Sequence, residues 1–263
     1  MPRRRRLTRA LYASLAAVLA VAAVIEAVLL WDILKEQHAL GLDLDFFRGI
    51  SRHWLDTGEF YLPRQLSGPY VVETLVDVLY PPFALYLFLP FLVLPGFLWW
   101  AIPITVFSAC ILWLRPARWS WPLIMLGIAW PQTVSQILYG NTNMWIAAFI
   151  AAGLCLWWPS VLVLVKPSLA PFALIGIRRR RWWVALGILA LASIPFGSLW
   201  LDYAAAVRNS SLGLAHALVT VPLMLSPVWA WLARARPSAT ALQADALPEA
   251  VPDVHDLAIA EVE

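Results

Sequence analysis

The chain has 263 residues, of which 62% are hydrophobic and 13% charged, with 16 Trp, 20 Pro and a formal net charge of +3. Its mean hydropathy is +0.73. That composition excludes a soluble globular domain, in which roughly a quarter of the residues are charged and each element keeps one polar face. The positive charge is gathered in Arg3 to Arg6 with Arg9, in Arg178 to Arg181, and in Arg234 with Arg236. Each cluster abuts an apolar run, so the clusters read as topology markers and no nucleic acid is expected as a partner.

In chain order, apolar segments fall at 11–31, 81–95, 97–114, 121–139, 143–158, 160–177, 182–201 and 211–233. A helix needs about 20 apolar residues to cross a hydrocarbon core about 30 Å thick, and lipid offers no water to unpaired backbone groups. The expected fold is all-α, a polytopic transmembrane helix bundle of about eight spans over residues 1–237. Leu11 to Trp31 exceeds the apolar core of a signal peptide and is expected to stay as the first span. Pro90, Pro95, Pro103, Pro131 and Pro159 interrupt the middle segments, and Pro95-Gly96 predicts a tight turn.

With the N-terminus cytoplasmic, this count returns Arg178 to Arg181, Arg234 and the C-terminus to the cytoplasm of a bacterial plasma membrane. Arg115 and Arg118 then fall outside, against the bias, and the turn "YGNTN", Tyr139 to Asn143, falls on the cytoplasmic side. Residues 32–80 form a long first extracytoplasmic loop, of a length that is usually functional or structured. Within it Phe46, Phe47, Ile50, Trp54 and Leu55 recur near helical spacing and predict an amphipathic helix at the membrane surface, on which Asp45, Arg48 and Arg52 share a face. Residues 238–263, rich in Asp and Glu and free of aromatics, predict a disordered acidic cytoplasmic tail.

The loop also holds the residues with chemistry to offer. Asp43 and Asp45 either solubilise the loop or line a hydrated cavity, and Arg48, Arg52 and His53 stand beside them. A carboxylate that takes a proton from a sugar hydroxyl, with a cation to stabilise a departing phosphate, fits that mixture. Lys166, in "VLVKPSLAP", lies well inside an apolar segment, where an ammonium is either functional or reaches back to the interface. Glu26 and His216 are intramembrane polar groups better assigned to packing. Cys110 and Cys155 read as small core residues, and no metal-ligand spacing, phosphate-binding glycine loop or nucleophile elbow occurs, so no metal and no cofactor are expected.

Taken in order, an acid after the first span, "WLDTGEFY" (Trp54 to Tyr61), "LYPPFALYLFLPFLVLP" (Leu79 to Pro95), "YGNTN" and "VKPSLAP" (Val165 to Pro171) resemble glycosyltransferase family 87. The resemblance covers roughly residues 10–185. It implies a GT-C-type membrane fold and an enzyme that uses a polyprenyl-phosphate sugar donor, of the mannosyl- or arabinofuranosyltransferase kind. Asp43 is the better match to the catalytic acid and Asp45 the second; Tyr80, Pro81 and Pro82 match a Tyr-Pro-Pro element, and Lys166 and Pro167 a Lys-Pro element. Gly140 and Asn143 match a Gly-Gln-x-Asn element in which Asn141 replaces the glutamine.

The expected function is therefore transfer of a sugar from that donor to a lipid or glycan acceptor on the outer face. Asp43 or Asp45 acts as base, and Arg48, Arg52, His53, Lys166, Tyr80 and Asn143 bind donor phosphate or substrate. Membrane lipids, and a partner protein supplying spans that longer family members carry, are the other expected partners. The rival readings are a non-catalytic or partner-dependent protein of the same fold, and a small transporter or lipid flippase working through Glu26, Lys166 and His216.

Overall fold

A computed structural model describes residues 2–73, 75–211 and 219–234; His216 and the acidic tail lie outside the described residues. Among the described residues the secondary structure is entirely helical, with two isolated backbone bridges and no strands. Two helical stretches, Arg6–Glu36 and Arg180–Asn209, are long and apolar enough to cross a membrane. A third candidate is the pair Pro131–Tyr139 and Asn143–Leu156, bent by 109° at the break between them. The chain is a helical membrane protein, and its exposed surface agrees: Leu11, Val18, Val24 and Leu29 of the first helix are all more than 60% exposed, as side chains facing lipid would be.

The chain opens with α1 (Pro2–Glu36) and then α2 (Leu42–Thr57), the expected amphipathic helix of the loop. Gly41 and Gly58 bracket α2 in left-handed conformations, and Phe47 and Leu44 turn its apolar face inward. The short α3 (Pro63–Ser67) follows, its N-terminus closed by Gln65, whose side-chain oxygen accepts the Leu62 N–H at 3.1 Å. Asp77 has a fully buried carboxylate held 2.8 Å from Arg64, and Asn209 donates to the Gln65 carbonyl at 3.0 Å. The first contact braces the loop internally, and the second ties it to the far end of the Arg180–Asn209 stretch.

Segment 81–95 is the first departure from expectation. Instead of one helix it forms a 3₁₀ turn (Pro82–Ala84), α4 (Leu85–Phe88) and a second 3₁₀ turn (Leu89–Leu92). Both its ends lie against the loop: the Tyr61 hydroxyl donates to the Tyr80 carbonyl at 2.7 Å, and Arg48 Nε donates to the Phe91 carbonyl at 2.8 Å. The segment therefore enters and returns on the α2 side. Pro81, Pro82 and Pro90 explain this, because each removes a backbone donor that a continuous helix needs.

The expected Pro95-Gly96 turn is present, with the Leu98 N–H on the Pro95 carbonyl, and leads into α5 (Leu98–Leu114). α5 starts beside α2 and ends at the Pro116 to Arg234 bridge. Next come α6 (Trp121–Ile128), α7 (Pro131–Tyr139) and α8 (Asn143–Leu156). α8 runs parallel to α5: Trp99 and Trp145, near the start of each helix, pack with ring centroids 5.5 Å apart, and the Cys155 thiol meets the Cys110 carbonyl at 3.9 Å toward the other end.

Segment 160–177 is the second departure. It is a hairpin of two 3₁₀ stretches, Trp158–Val165 and Pro167–Gly176, with Lys166 at its tip. Pro159, Pro167 and Pro171 account for the loss of α-helix. The hairpin lies tight on α8 because Gly153 has no Cβ; one there would stand only 3.0 Å from the Ser160 backbone.

The remaining elements are α9 (Arg180–Ser193), a 3₁₀ turn at Ile194–Phe196, α10 (Gly197–Asn209) and α11 (Val221–Leu232), which packs along α6. An aromatic core gathers the N-terminal pieces around α2. Phe47 stacks on Phe88 at 4.4 Å and meets Tyr80 edge-on at 5.5 Å, while Trp99 packs against Phe91 at 4.8 Å. Such pairs each add about 0.5–1.5 kcal/mol beyond the area they bury, which fixes the angle of α2 one turn from Asp43.

Candidate active site

The site grows from the turn between α7 and α8. Gly140 closes α7 at φ 80°, a left-handed conformation that costs a residue with a side chain about 1–2 kcal/mol. Space makes the same demand, since a Cβ there would lie 3.3 Å from the Trp100 ring and 3.4 Å from the backbone nitrogen of Leu44. Two tryptophans hold the turn from α5: Trp99 donates to the Gly140 carbonyl and Trp100 to the Ile137 carbonyl, each at 2.7 Å. From α2's side, the Gly41 N–H donates to the Leu138 carbonyl at 3.0 Å.

This contact corrects the expected placement of "YGNTN", which sequence reasoning sets on the opposite side from Asp43. Asn141 donates from Nδ2 to Asp43 Oδ2 at 2.6 Å. The Asn143 backbone N–H donates to Asn141 Oδ1 at 3.2 Å, and the Asn143 side-chain oxygen accepts from Lys166 Nζ at 2.7 Å. The Asn143 amide also donates to Gln136 Oε1, so its orientation is set from both sides. The Tyr80 hydroxyl shares a 2.9 Å hydrogen bond with the Thr142 hydroxyl. Thr142 and Asn143 are almost wholly buried, at 0% and 2% exposure.

Four of the predicted residues, Asp43, Tyr80, Asn143 and Lys166, thus meet around one turn. The other four do not. Asp45 is exposed and sits 3.6 Å from Arg48, an ion pair of the surface kind that contributes little. Residues two apart on a helix point nearly opposite ways, which is why Asp43 and Asp45 cannot form a paired site. Arg48 is occupied with the Phe91 carbonyl and, more weakly, that of Leu94 at 3.4 Å. Arg52 and His53 are exposed, and His53 faces Glu59 at 3.8 Å. Among the described residues no three His, Cys, Asp or Glu side chains come together as metal ligands would.

Gln136, Asn141 and Thr142 join the site without having been expected there. Asn141 stands out in sequence only as a departure from the glutamine of the resembled pattern, yet its shorter amide reaches the carboxylate directly. For Gln136, one helical turn before the junction, no local signal exists.

Compared with known protein families, with curated proteins and with solved structures, the chain matches none.

Burial raises the Asp43 carboxyl above the usual carboxylate range, and the Asn141 amide and the Lys166 ammonium offset only part of that rise. A carboxylate so placed is a stronger base than one in water, which suits proton abstraction. Burial and the neighbouring Asp43 also raise the Tyr80 phenol, so it remains a neutral hydrogen-bonding wall and does not compete as a base. Asn141→Ala removes a donor that stabilises the charged form of Asp43. The acid limb of the activity profile is expected to move to higher pH, read from initial rates across the pH range. A limb that stays in place would show that Asp43 is not the titrating base.

Proposed function

We propose that this chain is an integral membrane glycosyltransferase that moves a sugar of the mannose or arabinofuranose class from a polyprenyl-phosphate donor to a hydroxyl of a lipid or glycan acceptor. The observation that carries the reading is the meeting of a desolvated carboxylate, Asp43, with a lysine, Lys166, across a turn of hydrogen-bonded amides. The order of motifs that resembles family 87 supports it.

In this reaction Asp43 takes the proton of the acceptor hydroxyl, and the freed oxygen attacks the anomeric carbon. The bond from that carbon to the phosphate oxygen breaks, and the polyprenyl phosphate leaves with the electron pair. Lys166 meets the charge that develops on the leaving oxygen, at the end of a hydrogen bond that has already fixed its direction. Asn141 orients the base, while Asn143 and Gln136 orient the cation. Arg48, already engaged with backbone carbonyls, serves to hold segment 81–95 against α2.

The same reading reorders the passages through the bilayer. With 81–95 re-entrant and 158–176 split in two, α5 leads away from the site and α8 does the same, while the count of about eight passages is preserved. Arg115, beside the Pro116 to Arg234 bridge, then joins Arg118, Arg178 to Arg181 and Arg234 on the cytoplasmic side. The charge anomaly of the sequence disappears. "YGNTN", Asp43 and the tip at Lys166 share the outer face.

Membranes carrying the chain, supplied with labelled polyprenyl-phosphate mannose or arabinofuranose, are expected to pass label to endogenous lipid or glycan acceptors, whereas membranes lacking the chain are not. Absence of transfer from either donor, with the chain folded in the membrane, would reject the reading.

A further inference from the structure

Away from the Asp43 cluster, at the start of α9, lies a groove of about 710 Å³ lined by Trp158, Arg180, Arg181, Val184, Ala185 and Ile188. The lining is ordered by chemistry. Arg180, Val184 and Ile188 recur every four residues, as do Arg181 and Ala185, so they make one stripe down α9 with both guanidiniums at its top. The stripe extends about 12 Å along the helix, close to the depth of one leaflet of the hydrocarbon core.

Charge at the mouth is uncompensated. Among the described residues no carboxylate pairs with Arg180 or Arg181, and both are exposed. Their neighbour Arg179 is turned aside, its guanidinium lying 4.8 Å over the Trp157 ring, which leaves these two as the cations facing the groove. The N-cap residue Arg179 makes no side-chain capping hydrogen bond, so the first backbone N–H groups of α9 add positive potential at the same place. Below them, Val184 and Ile188 are 54% and 62% exposed and Trp158 is 43% exposed, an apolar wall without a protein partner among the described residues.

We propose that this groove is a binding site for an anionic phospholipid of the adjacent leaflet, with the headgroup phosphate between Arg180 and Arg181 and one acyl chain along Val184, Ala185 and Ile188. A free phosphate would use the arginines and leave the apolar wall uncovered. A zwitterionic lipid would cover the wall but bring a cationic group to the two guanidiniums. The site is separate from the transfer chemistry and stands whether or not that chemistry is correct.

The test is lipid binding to the purified full chain in detergent, by native mass spectrometry, with phosphatidylglycerol, phosphatidylcholine and inorganic phosphate as separate probes. Phosphatidylglycerol is expected to bind about tenfold or more tighter than phosphatidylcholine. Arg180→Gln with Arg181→Gln is expected to bring the two lipids level, while Arg180→Lys with Arg181→Lys keeps most of the preference. Both positions are exposed, and an unchanged thermal unfolding curve in phosphatidylcholine certifies the fold of each variant. Equal binding of the two lipids to the wild type would overturn the proposal, as would a preference that survives the double Gln variant. Displacement of phosphatidylglycerol by millimolar inorganic phosphate would also overturn it, since the acyl chain would then contribute nothing.

Discussion

Asp43→Asn is expected to lower the rate of sugar transfer by about 10²- to 10⁴-fold, the contribution of a positioned general base. The variant keeps its fold, because the amide oxygen of the substituted side chain still accepts the Asn141 donor that Asp43 Oδ2 accepts at 2.6 Å. It is expected to melt no lower than the wild type at neutral pH. The folded carboxyl has a raised pKa, so the folded state holds the Asp43 proton more tightly than the unfolded chain does, and ionisation costs stability as pH rises. Replacing the acid by an amide removes that cost. The difference vanishes below the ordinary carboxylate value of about 3.9. Asp45→Asn, two residues away on the exposed face, is expected to retain the wild-type rate. Parallel initial rates and melting curves decide it: a folded Asp43→Asn that transfers sugar normally is incompatible with Asp43 as the base.

Lys166→Met is expected to cost roughly 10²- to 10³-fold in transfer, the loss seen when one preorganised donor to a developing oxyanion is removed. A second effect separates this from general damage to the fold. The Lys166 ammonium helps to hold the Asp43 pKa down, so its removal is expected to push the acid limb of the activity profile to higher pH, as Asn141→Ala does through a different contact. Some stability goes as well, since Asn143 Oδ1 loses its 2.7 Å donor at a buried position, at a cost of about 1–3 kcal/mol. Lys166→Arg keeps the charge but presents a planar fork where a compact ammonium fits against Asn143, and is expected to recover the pH profile more fully than the rate. Rate, pH profile and melting temperature measured on the same preparations separate these effects. A Lys166→Met enzyme with an unshifted acid limb would remove Lys166 from the electrostatics of the base.

How much of this was legible from residues alone varied with how local the cause was. α2 was readable because Phe46, Phe47, Ile50 and Trp54 repeat at helical spacing, and the turn at Pro95-Gly96 because proline and glycine act on their own backbone. Helical membrane character followed from composition, since a polypeptide in lipid must satisfy its own hydrogen bonds. Asp43 was separable from Asp45 only by resemblance. The contacts separate them by helix geometry, one facing Asn141 and the other facing Arg48 at the surface.

Hydropathy could not tell a continuous helix from a broken segment, because 81–95 and 160–177 are as apolar as the helices around them. Their prolines announced breaks but not the direction taken after each break, and direction is set by what the broken ends can bond. Arg48 on the Phe91 carbonyl turns the first segment back, and Lys166 on Asn143 ties the tip of the second to the start of α8. Reversing the run between them carries "YGNTN" to Asp43 and Arg115 to the neighbourhood of Arg234. Local residue chemistry thus determined helices, breaks and the candidate acids and cations. Which of those acids and cations share a site was decided by long-range hydrogen bonds, whose partners lie far apart in the chain and leave no periodic trace in it.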